Sequence, residues 1–233
     1  MMKKALSFAA ALVLLLSAFP ATGGAASRSG MPYSAVAYME IEYACGCSFA
    51  GTGTMVSRYA LLTAGHNLIC KDHNREAKTI EFWFGYTSKD DYHYRYQGKF
   101  TYRYYCDFSN GFSSADDIGY VIFKKDVGRH TGWFGTKWYG SADEMDGLAV
   151  RTLGFKSGSL KTASGSLTVK SERQVTIPKN GSLGAEGGPV YYRDGSVYRL
   201  VAVYTSYSDS EFFCRRLTEK IISDMTADGA SFS

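Results

Sequence analysis

An all-β fold is what the sequence predicts, and three observations carry it. Short runs rich in β-branched and aromatic residues recur along the 233 residues. Gly, Asn, Asp and Ser cluster between those runs as turn signals. A single stretch, Thr218 to Ala227, has helical spacing, with Leu217, Ile221, Ile222 and Met225 on one face. No internal repeat and no low-complexity segment interrupts this pattern.

The chain opens with Lys3 and Lys4, an apolar run from Ala5 to Ala18, the breaker Pro20 and the small residues Gly24-Ala25-Ala26. That is the three-part pattern of a secretory signal peptide over 1–26, with cleavage after Ala26. The apolar run falls short of the ~20 residues a spanning helix needs. A secreted domain over 27–233 is therefore expected, 233 less 26 or 207 residues, enough for two packed halves divided near 125–140. Losing Lys3 and Lys4 takes the net charge from +4 to +2, too weak to argue for nucleic acid or an anionic membrane as partner. A monomer is expected.

The strand candidates follow in order. Tyr33 to Tyr43 alternates apolar and other residues, and Gly51 to Val56 and Ala60 to Thr63 are short runs parted by Ser57-Arg58. Thr79 to Tyr86 and Tyr92 to Tyr105 are aromatic-rich, with Gln97-Gly98 as a hairpin turn. Tyr120 to Phe123, Leu148 to Leu153, Gly165 to Lys170 and Tyr198 to Tyr204 complete the set. Tyr92, Tyr94, Tyr96, Tyr102, Tyr104 and Tyr105 resemble a stacking surface for sugars or bases, but aromatics at period two are what half-buried strands prefer.

Five cysteines are present, at 45, 47, 70, 106 and 214. Export permits disulfides, and the odd count leaves a thiol over. Cys45-Gly46-Cys47 could begin a metal site, yet no second Cys/His cluster at ligand spacing is evident, so a disulfide or plain burial is the expectation and the connectivity stays open.

Three stretches carry the chemistry. Leu61-Leu62-Thr63-Ala64-Gly65-His66 ends a strand on a histidine; Asp116-Asp117-Ile118-Gly119 opens another; and Gly184-Ala185-Glu186-Gly187-Gly188-Pro189-Val190 is a glycine-rich turn into a third. The first resembles the Thr-Ala-Gly-His of trypsin-like serine proteases, the second their Asp-x-Gly, and the third their Gly-Asp-Ser-Gly-Gly-Pro-Val. The order His, Asp, nucleophile, at intervals of 51 and 69 residues (66 to 117 to 186), is that of chymotrypsin-like enzymes. Met31-Pro32-Tyr33-Ser34 and Gly128-Arg129-His130-Thr131-Gly132-Trp133-Phe134-Gly135 are similar to stretches of the V8-like bacterial glutamyl endopeptidases, and the similarity runs from about Pro32 to the C-terminal helix.

The resemblance implies a chymotrypsin-like pair of six-stranded β-barrels with the site in the cleft between them and a short C-terminal helix. It implies His66 as general base, Asp117 as its orienting partner with Asp116 as runner-up, and the main-chain N–H groups of Gly184 and Glu186 as an oxyanion hole. Tyr204, Thr205 and Ser206 would bind substrate by pairing with an extended peptide. Two departures stand out: Glu186 occupies the place of the nucleophilic serine, and Tyr204 that of a histidine that helps the family bind an acidic side chain. A carboxylate there would pair with His66 or turn into the oxyanion hole. Three readings follow: an inert protease homologue, a peptide- or inhibitor-binding module using the retained cleft, or an active hydrolase with another nucleophile. As metal ligands, His66 and Glu186 would be two where a site takes three or four, so neither metal nor cofactor is expected.

Overall fold

The computed structural model describes residues 29–232, so the expected signal peptide lies outside the described residues. The first eight strands are β1 (Val36–Tyr43), β2 (Ser48–Met55), β3 (Ala60–Thr63), β4 (Ile69–Cys70), β5 (Arg75–Phe84), β6 (Tyr94–Tyr96), β7 (Phe100–Tyr104) and β8 (Gly119–Phe123). The next eight are β9 (Gly135–Thr136), β10 (Ala149–Lys156), β11 (Ser159–Ser166), β12 (Thr168–Ser171), β13 (Gln174–Pro178), β14 (Pro189–Asp194), β15 (Val197–Tyr207) and β16 (Glu211–Arg216). One helical turn, α1 (Gly128–Thr131), lies between the two groups, and α2 (Glu219–Ala227) ends the chain.

β1 to β8 make one sheet, in the order β4-β5-β1-β2-β3-β8-β7 with β6 also on β5. β6 and β7 lie towards opposite ends of that path and pair with β5 and β8 rather than with each other, so the turn at Gln97-Gly98 does not close the expected hairpin but curls the sheet towards a barrel. Inside it Phe82 packs edge-on against Phe100 at 5.5 Å and Phe123 at 5.0 Å, geometry that suits aromatic quadrupoles. The other eight strands run β11-β10-β14-β15-β16-β13-β12, with β9 on β15. Asn180 Nδ2, just past β13, donates to Ser164 O of β11 at 2.6 Å and brings the ends of that path together. Each sheet thus has eight strands where six were expected. β4 and β6 add short pairings to the two ends of β5, β9 is a two-residue parallel bridge to β15, and β12 is the hairpin partner of β13.

The chain outside the two aromatic-rich runs yields more strands than alternation alone suggests. β11 reads Ser-Leu-Lys-Thr-Ala-Ser-Gly-Ser and buries only Ala163 fully, because it sits at the edge of its sheet. An edge strand with two wet faces carries no apolar period to read. The helix agrees with its pattern: Ile221, Ile222 and Met225 are buried against the first sheet. Its far end is fastened there by Tyr120 Oη to Asp228 at 2.6 Å and Tyr105 Oη to Asp224 at 2.7 Å. The tyrosine run is structural in the main: Tyr96 lies in the core, and Tyr102 and Tyr104 both donate to Glu76 at 3.1 Å.

Candidate active site

Antiparallel pairing assembles the first half of the site. β3 runs into β8 with Thr63 opposite Gly119, so whatever follows β3 meets whatever precedes β8. His66 follows β3 on a single 3-10 turn, Gly65–Asn67, and Asp117 precedes β8. Asp117 is fully buried, and both its oxygens are used: the His66 main-chain N–H donates to Oδ1 at 2.8 Å and His66 Nδ1 donates to Oδ2 at 2.7 Å. Two bonds to one residue fix both the backbone and the ring plane of His66. Asp116 turns the other way and pairs with Arg173. The carbonyl of His66 accepts from Tyr43 Oη at 2.5 Å, which ties the turn to the end of β1.

The second half is the turn entering β14. Its glycines are demanded by close approach to one strand of each sheet, β10 of its own and β2 of the other. A Cβ on Gly188 would stand 1.7 Å from Leu153 O of β10, and one on Gly187, whose φ is 101°, would stand 2.0 Å from Thr52 O of β2. No side chain fits either place. Across that contact Thr52 N–H donates to Glu186 O at 2.8 Å, Thr52 Oγ1 to Ala185 O at 2.8 Å, and Asn67 Nδ2 to Glu186 O at 3.0 Å. Behind it the N–H of Gly187 donates to Tyr204 O and the N–H of Tyr204 to Gly188 O, at 2.7 and 2.9 Å. The N–H of Ala185 is taken by Phe155 O.

These constraints bring the Glu186 carboxylate to His66, with Oε2 4.0 Å from Nε2. That is ion-pair distance, longer than a hydrogen bond. Burial alone would lower the imidazole's proton affinity. The Asp117 charge and hydrogen bond, and after them Glu186, outweigh it, so His66 holds its proton above the usual imidazole range. Desolvation also raises the Glu186 carboxyl above the usual carboxylate range, against the pull of His66, of its own main-chain N–H and of Lys71. Phe112, nearly half exposed, stands edge-on to His66 at 6.3 Å, with Lys71 Nζ 6.0 Å from its ring.

The expected substrate strand looks different from its sequence reading in one respect. Tyr204 and Thr205 are buried and offer no side chain to solvent; Ser206 is partly exposed. The Tyr204 ring packs edge-on against Phe212 at 5.5 Å with its hydroxyl 3.5 Å from Gly184 O, and Thr205 Oγ1 lies 3.2 Å from both Ser114 O and Phe213 O. Val203 is the last β15 residue paired with β14, whereas pairing with β16 continues to Tyr207. Among the described residues, the stretch 205–207 therefore has a strand on one flank only.

Sequence reasoning missed the residues that seat the loop, Thr52 and Asn67. Their partners are main-chain carbonyls, which leave no residue pattern to find. It also found no second half for the Cys45-Gly46-Cys47 pair, and this is corrected by the fold: Cys70 and His73 stand beside it, with the four ligand atoms all within 4.8 Å of one another. The Cys-x-x-His spacing of 70 and 73 was the available clue.

No family model matches this chain, and no curated protein matches it in sequence. Solved structures do match in fold. The protease Anisep from Arthrobacter nicotinovorans superposes with a TM-score of 0.71 at 18% identity, over 87% of this chain and 99% of that one. A thermostable serine protease, AL20, from an extremophilic microorganism gives 0.70 at 15% identity, over 84% and 97%. A Glu endopeptidase in complex with MPD gives 0.66 at 18% identity, over 87% and 94%. The fold is the chymotrypsin-like one, two antiparallel sheets with a short C-terminal helix.

Proposed function

We propose that this chain is a secreted relative of glutamyl-endopeptidase-like serine proteases that holds peptides without cutting them. The observation that carries the reading is the Glu186 carboxylate standing 4.0 Å from His66 Nε2, with Asp117 already on Nδ1. In a working triad a serine hydroxyl meets that nitrogen and gives it a proton. An ionised Glu has no proton to give, and its attack on an amide would yield an anhydride, a poorer intermediate than an ester. The imidazole, which holds its proton more tightly here, is more often already protonated and then cannot take another. The one-sided flank of 205–207 supports peptide holding, since an extended segment could add there as a strand.

The test uses the folded chain, a broad quenched-peptide library and a serine-directed fluorophosphonate. The expected result is no cleavage and no labelling. Glu186→Ser is expected to gain both, and Glu186→Ser/His66→Ala to lose cleavage again. Labelling of the unaltered chain, for instance at the exposed Ser182, would instead make it an active hydrolase. A folded Glu186→Ser variant that cleaves nothing, yet binds peptide, would show that the site differs from a working protease beyond the nucleophile and that peptide holding alone is retained.

A further inference from the structure

The cluster formed by Cys45, Cys47, Cys70 and His73 lies outside the cleft, and its parts come from two turns of the first sheet. Gly46, with a φ of 87°, allows the β1–β2 turn to fold back tightly. Gly46 N–H donates to Tyr43 O and Tyr43 N–H to Cys47 O, both at 2.9 Å, so Cys45 and Cys47 flank the bend. The facing β4–β5 turn is closed by Asn74 N–H to Cys70 O at 2.8 Å, with Asn74 itself in the left-handed region at a φ of 51°. That closure presents Cys70 Sγ and His73 Nδ1 to the same side. His73 Nδ1 is 3.5 Å from Cys47 Sγ and 3.6 Å from Cys70 Sγ.

We infer that these four side chains bind one zinc ion as a structural Cys₃His site. Tetrahedral zinc with Zn–S of about 2.3 Å and Zn–N of about 2.0–2.1 Å sets sulfur and nitrogen ligands about 3.6 Å apart, which is the separation found here. The donor set is soft, as zinc sites of this kind are. All five cysteines of the chain are free thiols, and three in one cluster cannot all be satisfied by disulfides among themselves. On binding, Zn²⁺ takes three thiolates and the neutral imidazole, and the three thiol protons go to solvent. Four protein ligands leave no open position, so the ion supplies no catalysis. It fastens the turn after β1 to the segment that begins three residues beyond Asn67. Tyr43, next to that turn, is the residue whose hydroxyl holds the His66 carbonyl. The site would brace the histidine turn from behind, whatever the cleft does.

The experiment takes the folded chain purified without chelator and reads metal content, intact mass and thermal stability. One zinc per chain and a mass with no disulfide are expected. Reduction and chelation should lower Tm by more than about 5 °C, and one equivalent of Zn²⁺ should restore it. Co²⁺ in its place should give thiolate-to-cobalt charge-transfer and tetrahedral d–d bands. His73 is exposed, so His73→Ala should fold, keep its circular dichroism and bind zinc at least about 10-fold more weakly. A chain that is metal-free as isolated and, once reduced, takes up neither Zn²⁺ nor Co²⁺ overturns the inference. So does a disulfide within 45, 47 and 70 in the isolated protein.

Discussion

The side-chain amide of Asn67 donates to the main-chain carbonyl of Glu186 at 3.0 Å, so the residue after the histidine holds the residue that faces the histidine. The same amide also donates to Thr63 Oγ1 at 2.9 Å, and Thr63 in turn to Thr52 O at 2.7 Å. Spacing between His66 and residue 186 is therefore set by a buried chain of hydrogen bonds that crosses from one sheet to the other.

Asn67→Ala removes both donors from a site only 2% exposed. A loss of about 1–3 kcal/mol in unfolding free energy is expected from the two buried hydrogen bonds removed, although Glu186 O keeps the Thr52 N–H and Thr63 Oγ1 keeps Thr52 O. In the Glu186→Ser background the same change should lower kcat more than it raises KM, because the nucleophile drifts from His66. Denaturant melts and steady-state kinetics on the pair of variants check it; unchanged stability and kcat would show that Thr52 alone seats the loop.

Asp117 and Asp116 make opposite predictions. Introduced into Glu186→Ser, Asp117→Asn should drop turnover by about 10³–10⁴-fold, because the imidazole loses its orienting acceptor and tautomer. Asp116→Asn loosens an ion pair with the mostly exposed Arg173 and a 3.2 Å hydrogen bond from Ser113 Oγ, neither of which touches His66, and should stay within about 3-fold. Comparable losses from both would mean that the neighbouring aspartates act together.

The pH dependence has a definite sign. His66 and Glu186 each bind a proton more tightly folded than unfolded. Each therefore contributes stability at low pH and loses it as pH rises, Glu186 from about 4.5 upward and His66 from about 6.5 upward. Glu186→Gln mimics the protonated acid at every pH. Its Tm should match that of the unaltered chain below pH 4.5 and exceed it increasingly above. The His66 titration, followed by imidazole NMR, should move down. A Tm gap opening in the opposite direction would show that pairing with His66 outweighs the desolvation of Glu186.

Gly188→Ala tests how closely the turn packs on β10 of its own sheet. With Leu153 O 1.7 Å from the new Cβ, either the loop or β10 must move, and a loss above about 3 kcal/mol is expected. Gly46→Ala should be milder in steric terms, since nothing lies within 4 Å of its Cβ. If Gly188→Ala melts like the unaltered chain, the turn stands further from Leu153 O than 1.7 Å allows.

How much of this was legible follows from where the information sits. His66, Asp117 and the loop could be read because each is anchored in a short strand-to-turn phrase of fixed residue types. The choice of Asp117 over Asp116 rested on its place two residues before Gly119, which is where β8 begins. Thr52 and Asn67 could not be read, because they answer to backbone oxygens over 100 residues away. Tyr204 reads in sequence as a substrate-facing residue, and the fold buries it. Its burial depends on Phe212, and β16 had left no alternating pattern to announce it. The thiol cluster was hidden because 22 intervening positions separate Cys47 from Cys70, and only the pairing of β4 with β5 and β1 with β5 closes that distance.

The two glycines beside Glu186 are where β2 of one sheet and β10 of the other nearly touch. They would be needed in this chain even if it never met a peptide. Motif searches commonly take Gly-Gly-Pro as a mark of proteolysis, yet here its physical basis is the joint between two sheets. Serine and glutamate are equally compatible with that joint, so a lineage could exchange one for the other and keep every feature by which a peptidase is recognised except the hydroxyl.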